Sequence, residues 1–132
     1  MDGVVDVLVV DDNPGDRRFI EESLENSLLE ETVRSVPSEG EALDVVSHRS
    51  GSEEAPGPDV ILLDWNVSNE GGDELVDTAK SGNSPVLVVV MTGANPELSD
   101  MESAVPQADM YVQKPTETEG YVEMLRSVIS DR

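Results

Sequence analysis

The sequence predicts an α/β fold with a five-stranded, doubly wound parallel sheet, in one domain over residues 1–132. Three observations lead to this prediction. Short valine-rich runs alternate along the chain with segments whose apolar residues recur at helical spacing. The runs are almost continuously apolar, which is typical of strands that are covered on both faces of a sheet. A length of 132 residues suits one hydrophobic core of ordinary size.

The first strand and the first helix follow each other directly. A strand is predicted over 4–10, and it ends at Asp11 and Asp12. Either Asp12 or Asn13 caps the next helix, because both side chains can accept a hydrogen bond from its first turn. Pro14 suits a position near the helix start, where its missing N–H is not needed. The helix has one apolar stripe, made of Ile20, Leu24 and Leu28.

A second strand and helix are predicted next. The strand covers 32–36, and the helix begins near Ser38, with Glu41 at the spacing of a capping box. The apolar residues of this helix that we expect to face the core are Ala42, Leu43 and Val46. A loop of turn-forming residues over 50–58 then leads to the third strand.

Three further strand–helix units complete the chain. The strands are predicted over 60–63, 86–91 and 110–113. The three helices are marked by apolar residues at helical spacing: Leu75, Val76 and Ala79; Leu98, Met101 and Val105; and, over about 116–130, Val122, Leu125, Val128 and Ile129. Such alternation predicts a parallel sheet with right-handed crossovers and helices on both faces.

The composition excludes several classes of function. With 29 acidic residues against 8 basic ones, the chain has a formal net charge of −21 and repels phosphate backbones, so direct nucleic acid binding is not expected. It has no cysteine and only His48 as histidine, which excludes thiolate and histidine-cluster metal sites. The longest apolar run is far shorter than a bilayer span, and the N-terminus lacks a basic region followed by an apolar one. We therefore expect a cytoplasmic protein without membrane insertion.

The charge also suggests a hypothesis about the source of the protein. Lysine occurs only at Lys80 and Lys114, and excess acidic charge suits molar salt, where screening removes the self-repulsion of the chain. We hypothesise a halophilic source. A merely acidic mesophilic protein is the alternative.

Polar side chains follow four of the predicted strands. Asp11 and Asp12 follow the first strand, Asp64 the third, Thr92 the fourth and Lys114 the fifth. In open parallel sheets the ligand site lies beyond the carboxyl ends of the strands. Each residue alone has a structural explanation as a cap, a turn former or a surface charge.

Together, these residues point to phosphoryl chemistry. Three converging carboxylates repel one another unless a proton or a cation binds among them. Mg²⁺ accepts carboxylate oxygens and keeps a position for a phosphate oxygen. A lysine ammonium and a small hydroxyl can then stabilise the remaining oxygens of a phosphoryl group.

The chain resembles the receiver domain of two-component response regulators over essentially its whole length. The matching segments are Asp11-Asp12 after an apolar strand, Leu62-Leu63-Asp64, Met91-Thr92-Gly93-Ala94 and Tyr111-Val112-Gln113-Lys114-Pro115. The resemblance implies a flavodoxin-like (βα)5 fold. It also implies that Asp64 takes a phosphoryl group from a histidine kinase or a phosphotransfer protein.

The resemblance further implies a role for each site residue. Mg²⁺ would be held by Asp12, Asp64 and the backbone carbonyl of Asn66, with Asp11 helping through a water. Mn²⁺ is also possible, because it takes the same oxygen ligands. Lys114 would pair with the phosphoryl oxygens.

Two more residues would carry the switch. Thr92 would move to bond the phosphoryl group and Tyr111 would swing inward behind it, which changes a surface that an unidentified downstream protein recognises. On this interpretation the protein is not a classical enzyme but a phosphoacceptor that assists its own phosphorylation and dephosphorylation. We expect a stand-alone receiver, because the last predicted helix ends within two residues of the C-terminus.

Two other functions remain open. One is a pseudo-receiver that binds partners without phosphate. The presence of a suitable residue at all five chemical positions argues against it: Asp11, Asp12, Asp64, Thr92 and Lys114. The other is a Mg²⁺-dependent phosphohydrolase, which usually has a second acid two residues after its nucleophile and an insertion that covers the substrate. Here Asp11 and Asp12 are adjacent and no such insertion is present.

Overall fold

The computed structural model describes residues 5–25, 31–50, 58–64, 72–80, 86–92, 108–115 and 117–130. The strands are β1 (Val5–Val10), β2 (Glu31–Val36), β3 (Val60–Asp64), β4 (Leu87–Thr92) and β5 (Met110–Gln113). They form one sheet in the order β2-β1-β3-β4-β5, and every pairing is parallel. This topology confirms the predicted flavodoxin-like α/β fold.

Helices cover both faces of the sheet. They are α1 (Pro14–Glu25), α2 (Glu39–Ser50), α3 (Gly72–Lys80) and α4 (Thr118–Ser130). Helix α1 packs beside α4, and α2 packs beside α3. The helix predicted around Leu98, Met101 and Val105 lies outside the described residues, as does Leu28 of the first predicted stripe.

The sheet separates two apolar cores, because successive residues of a strand point to opposite faces. The core under α1 and α4 contains Val7, Val9, Ile20, Leu24, Val60, Leu62, Val89, Met91, Tyr121 and Leu125. The core under α2 and α3 contains Leu8, Val10, Val36, Ala42, Val46, Ile61, Leu63, Leu75, Val76, Ala79, Val86, Val88 and Val90. Both faces of the central strands are therefore buried, which explains their continuous apolar runs.

The predicted boundaries differ from the observed ones by a residue or two. Strand β3 includes Asp64 and β4 includes Thr92, so these two site residues still belong to the ladder. Helix α4 begins at Thr118, and its first buried aromatic residue is Tyr121, whereas the predicted Val122 is half-buried. The ring of Tyr121 contacts that of Phe19 on α1 edge to face, with centroids 5.6 Å apart, so that it belongs to the core between the two helices.

Aspartates hold the amino ends of two strands in register. The Asp59 backbone N–H donates to the carbonyl of Asp6 (2.8 Å), and its carboxylate accepts from the Asp6 N–H (2.9 Å). Asp109 makes the same pair of bonds with Val88, both at 2.8 Å, and also accepts from Lys80 Nζ (2.9 Å). These paired bonds set the stagger of β3 on β1 and of β5 on β4.

Candidate functional site

Three charged side chains meet at the carboxyl edge of the sheet. Asp11 follows β1, Asp64 ends β3 and Lys114 follows β5. Asp11 is 0% and Asp64 2% exposed, and the Lys114 side chain is 13% exposed. Strand alternation directs all three toward the face that α1 and α4 cover. The structure therefore brings these three predicted site residues together, and the roles assigned to them stay predictions.

The Lys114 ammonium is surrounded by carboxylates. Its Nζ donates to Asp11 Oδ2 at 2.7 Å and to Asp16 Oδ2 at 2.8 Å, and it lies 3.0 Å from Asp64 Oδ1. An ammonium has three hydrogens, so three carboxylates satisfy it. The Lys114 backbone N–H donates to the Thr92 carbonyl at 2.6 Å, which anchors the residue to β4.

The start of α1 positions two of these carboxylates. Asn13 Oδ1 accepts from the Asp16 N–H (3.0 Å), so Asn13 rather than Asp12 is the N-cap. The Asn13 N–H in turn donates to Asp11 Oδ1 (2.9 Å). Arg17 Nη1 donates to the Asp11 carbonyl at 2.8 Å, which secures the turn from the other side. Asp16 lies in the first helical turn, where the helix dipole favours an acid.

Asp11, Asp12 and Asp64 fit a divalent cation. Each offers one carboxylate oxygen, and these oxygens lie within 4.8 Å of one another. Asp12 is exposed, which leaves the group open to solvent on one side. Asp64 Oδ2 is buried and has no hydrogen-bond partner in the described part of the chain, so an acceptor is left for a cation. Carboxylate oxygens are the ligands that Mg²⁺ and Mn²⁺ prefer. The backbone carbonyl of Asn66, predicted as a further ligand, lies outside the described residues.

The electrostatics also favour cation binding. Burial raises the pKa of Asp64 above its ordinary value, and repulsion from Asp11 and Asp12 adds to this, while Lys114 opposes it. Burial alone would lower the pKa of Lys114, but its three carboxylate partners outweigh burial and raise it. Lys114 is therefore charged at neutral pH. One ammonium among four carboxylates leaves excess negative charge that a divalent cation reduces.

Residues 7–126 match the response regulator receiver domain. The chain belongs to this family. Receiver domains act in two-component signalling and are signalling domains rather than classical enzymes. Within the described residues no helix is long and apolar enough to cross a bilayer.

Individual response regulators are also similar to this receiver domain. Response regulator Rcp1 of Synechocystis sp. is 24% identical over 126 residues, which cover 94% of this chain and 86% of Rcp1. The crystal structure of the phosphorylated cyanobacterial phytochrome response regulator RcpA superimposes with a TM-score of 0.71 and 26% identity, covering 96% of this chain and 91% of RcpA. The Mn²⁺-bound form of Rcp1 gives a TM-score of 0.69 and 24% identity, with 96% and 92% covered.

Thr92 and Tyr111 lie on the opposite face of this receiver's sheet from Lys114. Tyr111 pairs in register with Val90, two residues before Thr92, so both side chains point toward α2 and α3. Thr92 is buried, and Tyr111 is half-buried against that core. Met91 is the register partner of Asp64, so Thr92 is one residue beyond the phosphoacceptor candidate. Their movement on phosphorylation stays a prediction.

Two residues near the cluster were not predicted from the sequence. Asp16 contacts Lys114, but an acid in a first helical turn is common for dipole reasons alone and gave no separate signal. Tyr121 is buried beside the same groups. Burial raises its pKa to about 12, with Lys114 opposing and the carboxylates of Asp16, Asp11 and Asp64 adding.

Proposed function

We propose that this receiver domain accepts a phosphoryl group on Asp64 from a histidine kinase or a phosphotransfer protein, with Mg²⁺ or Mn²⁺ at Asp11, Asp12 and Asp64. The observation that carries the proposal is the environment of the Asp64 carboxylate. One of its oxygens contacts Lys114 at 3.0 Å, the other is buried without a hydrogen-bond partner among the described residues, and two more acids lie beside it. Membership of the receiver family and the similarity to Rcp1, which has a Mn²⁺-bound form, support the choice of metal.

In the transfer step an Asp64 oxygen attacks the phosphorus of a phosphohistidine. A new O–P bond forms while the P–N bond breaks, and the imidazole nitrogen leaves with the electron pair of that bond. The Lys114 ammonium stabilises the charge on the equatorial phosphoryl oxygens. Asp11, Asp12 and Asp64 would hold a divalent cation, whose charge would supply further neutralisation for the approach of an anionic donor. Asn66 would contribute its backbone carbonyl to the cation.

The phosphoryl group would then change the protein surface. An aspartyl phosphate adds negative charge and acceptor oxygens at one point. The Thr92 hydroxyl would donate to one of these oxygens, and Tyr111 would follow it inward. A region with two packings of similar energy is biased by such a contact. The changed face would then be recognised by a downstream protein.

Intact mass measurement tests the proposal. The protein is incubated with acetyl phosphate and Mg²⁺ in molar KCl, beside a sample without metal, Asp64→Asn and the matched charge control Asp77→Asn. Asp77 is exposed on α3, which packs on the opposite face of the sheet from the Asp64 side chain. We expect a gain of one phosphoryl group in the wild type and the control, lost without metal and in Asp64→Asn. A gain that persists in Asp64→Asn would refute the assignment of the acceptor.

Further assays on the same proteins distinguish the other functions. Continuous release of phosphate from simple monoesters would favour a phosphohydrolase. If neither acetyl phosphate nor a panel of histidine kinases phosphorylates the wild type, while Asp64→Asn still binds its partner, the chain is a pseudo-receiver.

A further inference from the structure

Asp16 is the partner of Lys114 for which the proposed function has no use. Its Oδ2 accepts from Lys114 Nζ at 2.8 Å, which is within 0.1 Å of the 2.7 Å contact of Asp11. Asp16 is not among the acids whose oxygens converge on the candidate cation position, Asp11, Asp12 and Asp64. It is therefore a carboxylate directed at the ammonium and not at the cation.

Two of the three contacts of the ammonium should weaken when the site is in use. Asp11 and Asp64 are the carboxylates that the cation and the phosphoryl group would engage, and both now share their charge with Lys114. Once they are engaged, their attraction for the ammonium weakens, because one carboxylate charge is then divided between two cations. The Asp16 contact is unaffected by this competition.

We propose that Asp16 is a positioning residue, which holds the Lys114 ammonium at the carboxyl edge of the sheet while Asp11 and Asp64 are engaged by the cation and the phosphoryl group. This inference rests on the proposed phosphoacceptor function and deepens it. Lys114 would then meet the incoming phosphoryl oxygens already oriented, which avoids an ordering step during transfer.

Asp16 is itself held in place by local structure. Its N–H donates to Asn13 Oδ1, and the Asn13 N–H donates to Asp11 Oδ1, so the cap of α1 joins both carboxylates. Helix α1 is attached to the sheet by buried residues and to α4 by the contact between Phe19 and Tyr121. A carboxylate on a packed helix loses little further freedom when it orients a lysine.

Removal of the Asp16 carboxylate should slow phosphorylation of Asp64. We expect Asp16→Ala to lose about tenfold in rate at saturating Mg²⁺, at the low end for a hydrogen bond to a charged group because Asp16 is 42% exposed. Asp16→Asn should show a smaller loss, since its amide oxygen can still accept, and Asp16→Glu should recover part of the wild-type rate. Glu25→Gln, an exposed site on the last turn of the same helix, is the matched charge control and should follow the wild type.

A purely repulsive effect of Asp16 on the phosphodonor predicts the opposite change in rate. If Asp16 acted only by repelling the anionic donor, its removal would accelerate the reaction. A rate for Asp16→Ala and Asp16→Asn equal to or above that of Glu25→Gln would overturn the proposal. Thermal melting of each variant, followed without donor, separates a loss of fold from a loss of rate.

A second measurement observes the ammonium directly and needs no phosphorylation. Because the chain has only Lys80 and Lys114, ¹⁵Nζ labelling of lysine gives two ammonium signals, and Lys80, paired with Asp109, is the internal reference. On addition of Mg²⁺ the Lys114 hydrogens should remain protected from exchange in the wild type. In Asp16→Ala we expect them to exchange rapidly, with Lys80 unchanged.

The two measurements also separate the two proposals. If the wild type takes no phosphoryl group, the proposed function fails, and the ammonium spectra still decide whether Asp16 holds Lys114. If the wild type is phosphorylated but Lys114 stays equally protected in Asp16→Ala with Mg²⁺, the positioning role alone is refuted.

Discussion

Replacement of Lys114 by methionine should strongly destabilise the metal-free protein. The substitution keeps an unbranched side chain but removes the ammonium, which leaves two carboxylates, Asp11 and Asp64, buried without their cation. Asp16 is 42% exposed, so water can solvate its carboxylate once the ammonium is gone, and its loss of a partner adds little to the cost. The cost therefore arises from the two buried acids.

The magnitude follows from the general cost of removing one partner of a buried ion pair, about 3–5 kcal/mol. The acid cluster opens to solvent at Asp12, so we take the lower end, about 3 kcal/mol in the free energy of unfolding. For a chain of this size that corresponds to a fall of about 12 °C in the melting temperature.

Thermal melting in the presence of a chelator measures this effect, with Lys80→Met as the matched control. Lys80 is the other lysine, and its pair with Asp109 is half-exposed, so the control should lose about 1 kcal/mol. The deficit of Lys114→Met should shrink on addition of Mg²⁺, because the cation replaces the missing positive charge. It should also shrink toward acid pH, because burial raises the pKa of Asp64 and Lys114 no longer opposes this, so the folded variant binds a proton at Asp64 more tightly than the unfolded chain does. A deficit no larger than that of Lys80→Met, or one that Mg²⁺ and acid leave unchanged, would refute this reasoning.

Three further predictions concern the proposed phosphoacceptor Asp64, the first turn of α4 and the surface charge. Asp64→Asn should melt at a higher temperature than the wild type in chelator at neutral pH. The pKa of Asp64 is raised above 3.8, so wild-type stability falls as pH rises through the interval from 3.8 to that raised value. The difference in melting temperature between Asp64→Asn and the wild type should therefore disappear at acid pH. Gly120→Ala should cost about 1–3 kcal/mol in chemical denaturation, because its Cβ would lie 2.5 Å from Pro115 Cβ; the exposed Ser127→Ala on the same helix should be neutral. The wild type should melt at a higher temperature in molar KCl than in low salt, and equal melting temperatures would contradict the halophile hypothesis.

The strands could be predicted closely because their burial leaves a clear signal in the sequence. A run such as 60–63 or 86–91 has apolar side chains for both faces of the sheet, which few other structures require. The convergence of Asp11, Asp64 and Lys114 could be predicted for a related reason. Parallel strands end at one edge, so residues far apart in sequence meet there.

Contacts between particular side chains could not be predicted from the sequence in this way. Whether Asp12 or Asn13 caps α1 depends on which side chain reaches the first turn, and both have the chemistry to do so. The contact of Asp16 with Lys114 depends on the angle at which α1 leaves the sheet. The burial of Tyr121 depends on the rotation of α4 about its own axis relative to Phe19. The predicted apolar stripe began one residue later, at Val122, and so did not indicate that Tyr121 faces the core.

The distribution of the two lysines has a consequence for the covalent reactivity of the protein. Lys114 is held by carboxylates at one edge of the sheet, and Lys80 is held at the other edge by Asp109 and the Val86 carbonyl. Only the neutral amine of a lysine attacks acylating reagents, and a protonated, hydrogen-bonded ammonium supplies little of it. Lys114 should therefore react slowly, and its acylation rate would report on how firmly its carboxylates hold it, with Lys80 as the reference in the same molecule.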